Sequence, residues 1–233
     1  MKLKKVLTLM GFGLLSFTLV QAQDASAIIK KASEAVGTSE AMNNLKDVYL
    51  AGKMSVMGQE LDFIQKFILP TGFATEVNMG GMTAMKQVKN GDTYSVQMQG
   101  MDQEINDEAK NEMNLKASFF EEKYMLGQSG YKFALKNKEM VDGKEANVVE
   151  ITKPDGGTIL NYYDVVTGLK VQDSREQEAG PMGKVSLTTK FMDYKEFNGI
   201  KVATKLQVAI GPMDQEINIS EVKINSGLKA TEL

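Results

Sequence analysis

A chain of 233 residues with 27 basic and 30 acidic side chains is long enough for one sizeable core and is mildly acidic. It has no cysteine and no histidine, which excludes disulfide staples, thiol nucleophiles, Ser-His or Cys-His catalysis and imidazole metal sites together. Arg175 is the only arginine and no basic patch stands out, so neither nucleic acid nor an anionic membrane is an expected partner.

The first residues carry Lys2, Lys4 and Lys5, and Val6 to Val20 hold no charge. A basic start, a short apolar run and Val20-Gln21-Ala22 form the pattern of a secretory signal peptide over residues 1–22, cleaved after Ala22. A retained membrane anchor is the competing reading, but fifteen apolar residues fall short of the roughly 20 that span a bilayer. Without a cysteine for lipidation, the expected product is an unanchored periplasmic or secreted domain, residues 23–233. Losing three lysines leaves 24 basic against 30 acidic side chains, a net charge of −6.

Ile28, Ile29, Ala32, Ala35 and Val36 recur at helical spacing, which predicts a helix from Asp24, as N-cap, to a stop at Gly37. Ser39 caps a second short helix through Asn44, turning Met42 and Leu45 inward. After Leu45 the apolar period changes to two. Val48, Leu50, Met54 and Val56 alternate with polar neighbours; so do Leu61, Phe63, Phe67 and Leu69, broken only by Gln65. Further on, Val185, Leu187 and Phe191, then Ile200, Val202, Leu206, Val208 and Ile210, do the same. Turn signals such as Gly80-Gly81, Asn90-Gly91, Asp142-Gly143 and Asn198-Gly199 separate the runs. The expectation is mainly β with helices (α+β), with about twelve antiparallel strands in up-and-down order.

Glu104 to Leu126 breaks the alternation. Ile105, Ala109, Met113 and Leu115, then Phe119, Phe120, Tyr124 and Met125, read as one or two helices lying across the sheet as a lid.

No nucleotide, nucleophile-elbow or zinc-protease motif occurs, and Asp155-Gly156-Gly157 reads as a hairpin turn rather than a calcium loop. Glu121-Glu122 and Asp102 with Glu104 read as solvated charges rather than paired catalytic acids. No catalytic residue, metal or cofactor is therefore expected, and a Ser-Lys hydrolase is a distant alternative. Three short segments echo one another, at Met57-Gly58-Gln59-Glu60, Met101-Asp102-Gln103-Glu104 and Met213-Asp214-Gln215-Glu216, most simply as a recurring turn sequence. Sixteen methionines are many for this length, and Met57, Met79, Met82, Met101, Met182 and Met213 flank turns. They form either a pliable apolar mouth at the rim of the sheet or filler for an irregular core.

The order of parts resembles the exported LolA/LolB-like proteins, the outer-membrane lipoprotein-sorting branch in particular. The resembling residues are Ala35-Val36-Gly37, Gly52-Lys53-Met54, Asn90-Gly91-Asp92, Asp193-Tyr194-Lys195-Glu196 and Asn198-Gly199-Ile200-Lys201-Val202, along nearly the whole mature chain. The resemblance implies an incomplete antiparallel barrel of about eleven strands, closed by a helical lid over a cavity for acyl chains. The family commonly has a proline where Ala203 stands, and its carriers tie the lid with an arginine on an early strand, whereas Arg175 is late. The chain also ends near Asn225-Ser226-Gly227-Leu228 without the family's usual tail.

The functional expectation is a non-catalytic carrier whose partner is a hydrophobic ligand, a lipid or acyl chain. Its cavity residues would be Leu50, Met54, Phe63, Phe67, Met85, Phe119, Phe120, Phe133, Leu135, Leu160, Phe191 and Leu206. The alternative is an interaction module that docks another envelope protein, its concavity filled by its own side chains. N-terminal sequencing of the exported protein should begin at Gln23; an intact Met1 would overturn the cleavage reading.

Overall fold

The computed structural model describes residues 12–178 and 183–233. The basic start of the expected signal lies outside them.

Helix α1 (Phe12–Ala35) runs unbroken from the apolar stretch, so Asp24 lies inside it rather than capping it. Its stop is tertiary. Val36 O accepts from Lys201 N at 2.6 Å, Gly37 bridges to Ile200, and a Cβ on Gly37 would lie 2.8 Å from Ile200 Cδ1. Gly37 is thus needed for close approach and not for a left-handed cap. Helix α2 (Ser39–Asn44) is capped one residue earlier than expected, by Thr38, whose hydroxyl accepts from Ala41 N at 3.2 Å.

Fourteen strands follow, against the twelve expected, in one open sheet. They are β1 (Asp47–Val56), β2 (Gln59–Ile68), β3 (Gly72–Met79), β4 (Met82–Asn90), β5 (Thr93–Met98), β6 (Met101–Asp102), β7 (Lys132–Leu135), β8 (Glu139–Val141), β9 (Lys144–Thr152), β10 (Thr158–Asp164), β11 (Lys170–Glu178), β12 (Lys184–Phe197), β13 (Ile200–Ile210) and β14 (Met213–Ile224). The two-residue β6 and three-residue β8 are too short to show a period, which accounts for the difference. The order is β6-β5-β4-β3-β2-β1-β14-β13-β12-β11-β10-β9-β7, with β8 also on β9, all antiparallel.

Two consequences follow. Pairing of β1 with β14 puts the ends of the strand region at the middle of the sheet. The edges are β6 and β7, consecutive in the chain, and between them lie α3 (Asp107–Ala117) and α4 (Glu121–Gly127). A connection from one edge to the other has to cross a face of the sheet, so the expected lid is a requirement of topology. Asn106 caps α3, accepting from Ala109 N at 2.8 Å.

The face beneath these helices, here the inner face, has two apolar clusters. One joins Leu50, Met54, Phe63, Phe67, Phe73, Val77, Ile217 and Val202 with Phe120 and Met42. The other packs Ala25, Ile29 and Ala32 of α1, with Leu115 and Met125, onto Val149, Ile151, Ile159 and Tyr163. Gln65, the break in the alternation, lies on this face and donates to Thr75 Oγ1 at 3.2 Å. Asp47, 4% exposed, ties the C-terminal segment to β1 by accepting from Ser226 N at 2.7 Å and Gly227 N at 3.0 Å.

At the β1–β14 seam the register slips between Ala51 and Gly52. There a Cβ on Gly52 would stand 2.0 Å from the Asn218 carbonyl oxygen, a clash with backbone that no rotamer relieves. Gly52→Ala should therefore destabilise the fold by about 1–3 kcal/mol or more, read as a lowered Tm. Gly127→Ala, where the added Cβ meets open space and φ is not positive, serves as the comparison.

Candidate functional site

Antiparallel register assigns each side chain to a face, since directly opposed residues share one. Phe191, Leu206, Ile217, Met54 and Leu61 form one inner row across β12, β13, β14, β1 and β2. Of the expected cavity residues, Leu50, Met54, Phe63, Phe67, Phe120, Met85, Phe119 and Leu206 meet in a single cluster. Phe133 and Leu135 are also inner residues but pack against the α1 cluster. Phe191 faces inward and lies under the Lys170 ammonium, 5.0 Å from its ring centroid.

Leu160 is a correction. It opposes Ser174 and Glu150 on the outer face and packs with Val141, Val148, Tyr162 and Val171. Both faces of β10 are covered, so Ile159 and Leu160 are neighbours in sequence but bury on opposite sides, and Leu160 cannot line the same site.

Where α3 meets α4, Phe119 and Phe120 close over the first cluster. Phe67 contacts Phe73 at 5.3 Å and Phe119 at 5.0 Å, and Phe119 contacts Phe120 at 5.1 Å, the last two edge to face. Phe119 has φ +59°, a left-handed conformation uncommon for a bulky residue, so the joint is strained where it enters the apolar face.

Beside this plug lies an ion network that the sequence reading missed. Glu112 of α3 accepts from Arg175 Nη1 at 2.5 Å and Lys153 Nζ at 2.8 Å. Lys170 Nζ lies 2.9 Å from Glu121 and 3.1 Å from Glu122, both on α4. Glu122 also accepts from Tyr163 Oη at 3.3 Å, and Arg175 Nη2 lies 3.3 Å from Asp173. The lone arginine thus does hold the lid, although it stands on β11. Asp173 and Arg175, two apart on one strand, both face inward, opposite Asn161 and Ile159. That spacing, in a strand with little apolar alternation, was the available signal.

The network is electrostatically tense. Burial pushes the Lys116 ammonium down, and Arg175 pushes it the same way. Burial and the two α4 carboxylates act oppositely on Lys170, and Glu121 with Glu122 prevail, holding it well above its usual range. Asn161 Oδ1, Asp173 Oδ1 and Arg175 Nε are buried without a partner among the described residues, each costing about 1–3 kcal/mol. Such an arrangement is poorly explained by stability alone, because apolar replacements of buried ion pairs are often as stable.

The outer face differs in character. A groove of about 520 Å³ follows the row Ser55, Glu216, Gln207 and Lys190, and its lining is mixed, with Met57, Val208 and Ala209 among these polar residues. A crevice of about 110 Å³ beside α3, lined by Asn111, Tyr131 and Lys153 among others, is smaller than ordinary ligand pockets of ~300–1,000 Å³. Among the described residues no group of three His, Cys, Asp or Glu side chains is placed to hold a metal, and no helix is long and apolar enough to cross a membrane.

Burial would raise the Glu121 carboxyl, but Lys170, with Arg175 behind it, outweighs burial and holds it down to about 2. An unfolded Glu titrates near ~4.3, so this contribution is complete above that pH and is lost as pH falls toward 2. Glu121→Gln should flatten acid unfolding between those pH values, followed by circular dichroism; an unchanged acid midpoint would contradict the assignment.

No protein-family model matches the sequence, and no curated protein matches it significantly. Solved structures do resemble the fold. A Vibrio parahaemolyticus domain named for outer-membrane lipoprotein sorting is 13% identical at a TM-score of 0.63, covering 91% of this chain and 96% of that one. A DUF1329 family protein of Desulfovibrio piger is 14% identical at 0.59, over 88% and 95% of the two chains. A LolA superfamily protein of Nitrosomonas europaea is 13% identical at 0.57, over 89% and 96%. The open antiparallel sheet with helices across one face is therefore the LolA/LolB-like fold.

Proposed function

We propose that this protein is an exported, non-catalytic carrier that shelters a hydrophobic ligand, a lipid or an acyl chain, against the inner face of its half-barrel. The observation that carries this reading is the Phe119–Phe120 plug. An apolar face built from Leu50, Met54, Phe63, Phe67 and Leu206 is capped by aromatic side chains on a segment hung between the two sheet edges. The segment is attached through ion pairs that can exchange for water when it lifts. A ligand replacing the two phenyl rings gains the burial that they give up, about 0.8 kcal/mol for each methylene.

The name of the similar Vibrio structure, an outer-membrane lipoprotein-sorting domain, agrees with a role in the envelope, and this chain's expected export signal supplies the matching location.

The test is direct. Exported protein purified without detergent should yield lipid on extraction and mass spectrometry, and should bind a fluorescent fatty acid saturably. Phe67→Asp, in a variant that circular dichroism shows folded, should abolish probe binding. Arg175→Met, which frees α3 from β11, should speed probe uptake severalfold. Absence of both co-purified lipid and saturable binding would sink the carrier reading and favour a module that docks another envelope protein.

A further inference from the structure

Among the described residues eight large apolar side chains are conspicuously exposed, and six are methionine: Met57, Met79, Met82, Met98, Met101 and Met140. Methionine's flexible stem suits a pliable apolar mouth, but among these exposed side chains it alone also offers a soft donor atom. The bias toward one side chain points to its sulfur. Methionine also supplies every sulfur atom in this chain, which has neither cysteine nor histidine.

Four of these methionines gather at one corner of the sheet. Met79 opposes Met82 across the Gly80-Gly81 turn, and Met98 opposes Met101 across the next hairpin at that end. Met85 of β4 opposes both Val77 of β3 and Met98 of β5, joining the two hairpins. Register puts them on a common face. Val77 and Met85 are inner residues, and the slip between Val77 and Asn78 leaves Ala84 as an extra residue on β4. That extra residue returns Met79 and Met82 to the inner side. Directly opposed residues have Cβ atoms about 4.5–5.5 Å apart, and a thioether reaches two bonds farther on a flexible stem. Met85, Met98 and Met101 can therefore bring three sulfurs together without moving the backbone, with Met79 and Met82 adjacent. Met79, Met82, Met98 and Met101 are 45%, 70%, 50% and 63% exposed, so a solute reaches them freely.

We propose that this corner binds a soft monovalent cation, Cu(I), through thioether sulfur. Neutral thioethers select Cu(I) over the harder divalent ions that oxygen donors take. They carry no proton to displace, so binding is independent of pH where carboxylate or imidazole sites are not. The site makes no use of the lid or of a carried ligand, and it stands whether or not the chain is a lipid carrier.

The test uses the purified exported chain. Cu(I) is titrated in competition with a chromogenic chelator, and Ag(I), its redox-inert analogue, by calorimetry, each at pH 7 and pH 4.5. The expected result is saturation at one metal per chain, equal at both pH values, with a sulfur-only shell by X-ray absorption. Replacing Met79, Met82, Met98 and Met101 together by leucine keeps the corner apolar and should abolish uptake, while Met140→Leu leaves it unchanged. Absence of uptake by the wild type, uptake retained by the fourfold variant, a nitrogen or oxygen shell, or weakening at pH 4.5 would each overturn the proposal. Should the fourfold variant not fold, Met98→Leu alone removes the central donor of the row and is read by the same criteria.

Discussion

The connection between β6 and β7 governs the rest of this molecule. These strands are consecutive in the chain yet form opposite edges of a sheet of fourteen. Their link has to cross a face, and the face it crosses becomes the interior. Once the helices lie there, the alternating apolar residues of β1, β2, β3, β13 and β14 acquire something to bury against, and the opposite side of the same strands is left polar. A sheet with both faces open to water would have no such asymmetry to stabilise it.

The two halves of the inner face are secured differently. Near α1 the contact is conventional, with Ala25, Ile29 and Ala32 fully buried on β9 and β10. Beneath the α3–α4 joint it is mixed: phenyl rings enter an apolar patch, and the helices on either side of the joint carry Glu112, Glu121 and Glu122 to Arg175, Lys153 and Lys170. Apolar burial is nondirectional and would let the segment slide, whereas an arginine held between Glu112 and Asp173, and paired carboxylates on Lys170, fix where it sits. Desolvating those charges offsets much of their attraction, so the segment is positioned firmly without being bound strongly. That combination suits the removable cover of the proposed carrier.

The two ends of the sheet also differ. One end carries the close approach of Gly37 to Ile200 and the tie from Asp47 to the C-terminal segment. The other carries the hairpins between β1 and β2, β3 and β4, β5 and β6, and β13 and β14, and there the methionines collect. Two copies of the Met-x-Gln-Glu echo, at Met101 and Met213, begin strands just after these turns and the third, at Met57, spans the β1–β2 turn, so the echo marks a shared end of the sheet, not a structural repeat.

How much of this was legible in the sequence depended on whether the evidence was local. Alternation with period two is a property of one strand, and turn dipeptides such as Asp142-Gly143 and Asn198-Gly199 require positive φ wherever they occur, so the antiparallel sheet, its hairpins and the helical interruption could all be read directly. Most of the expected site residues also came together, because a single alternating face is what a sheet buries. Strand number escaped where strands, at two and three residues, were too short to show an alternation. Leu160 was misplaced because both faces of β10 are covered, and periodicity says nothing about which of two covered faces belongs to a site. The charges under the lid were read as solvated because each one's partner lies 41 to 63 residues away, as Lys153 and Arg175 do from Glu112. Composition and period therefore determined a β-rich, cysteine-free, histidine-free sheet protein with a helical insert. Only tertiary structure decided which face that insert covers, which charges it buries, and that five methionines from four strands share one corner, since each depends on distant segments meeting in register.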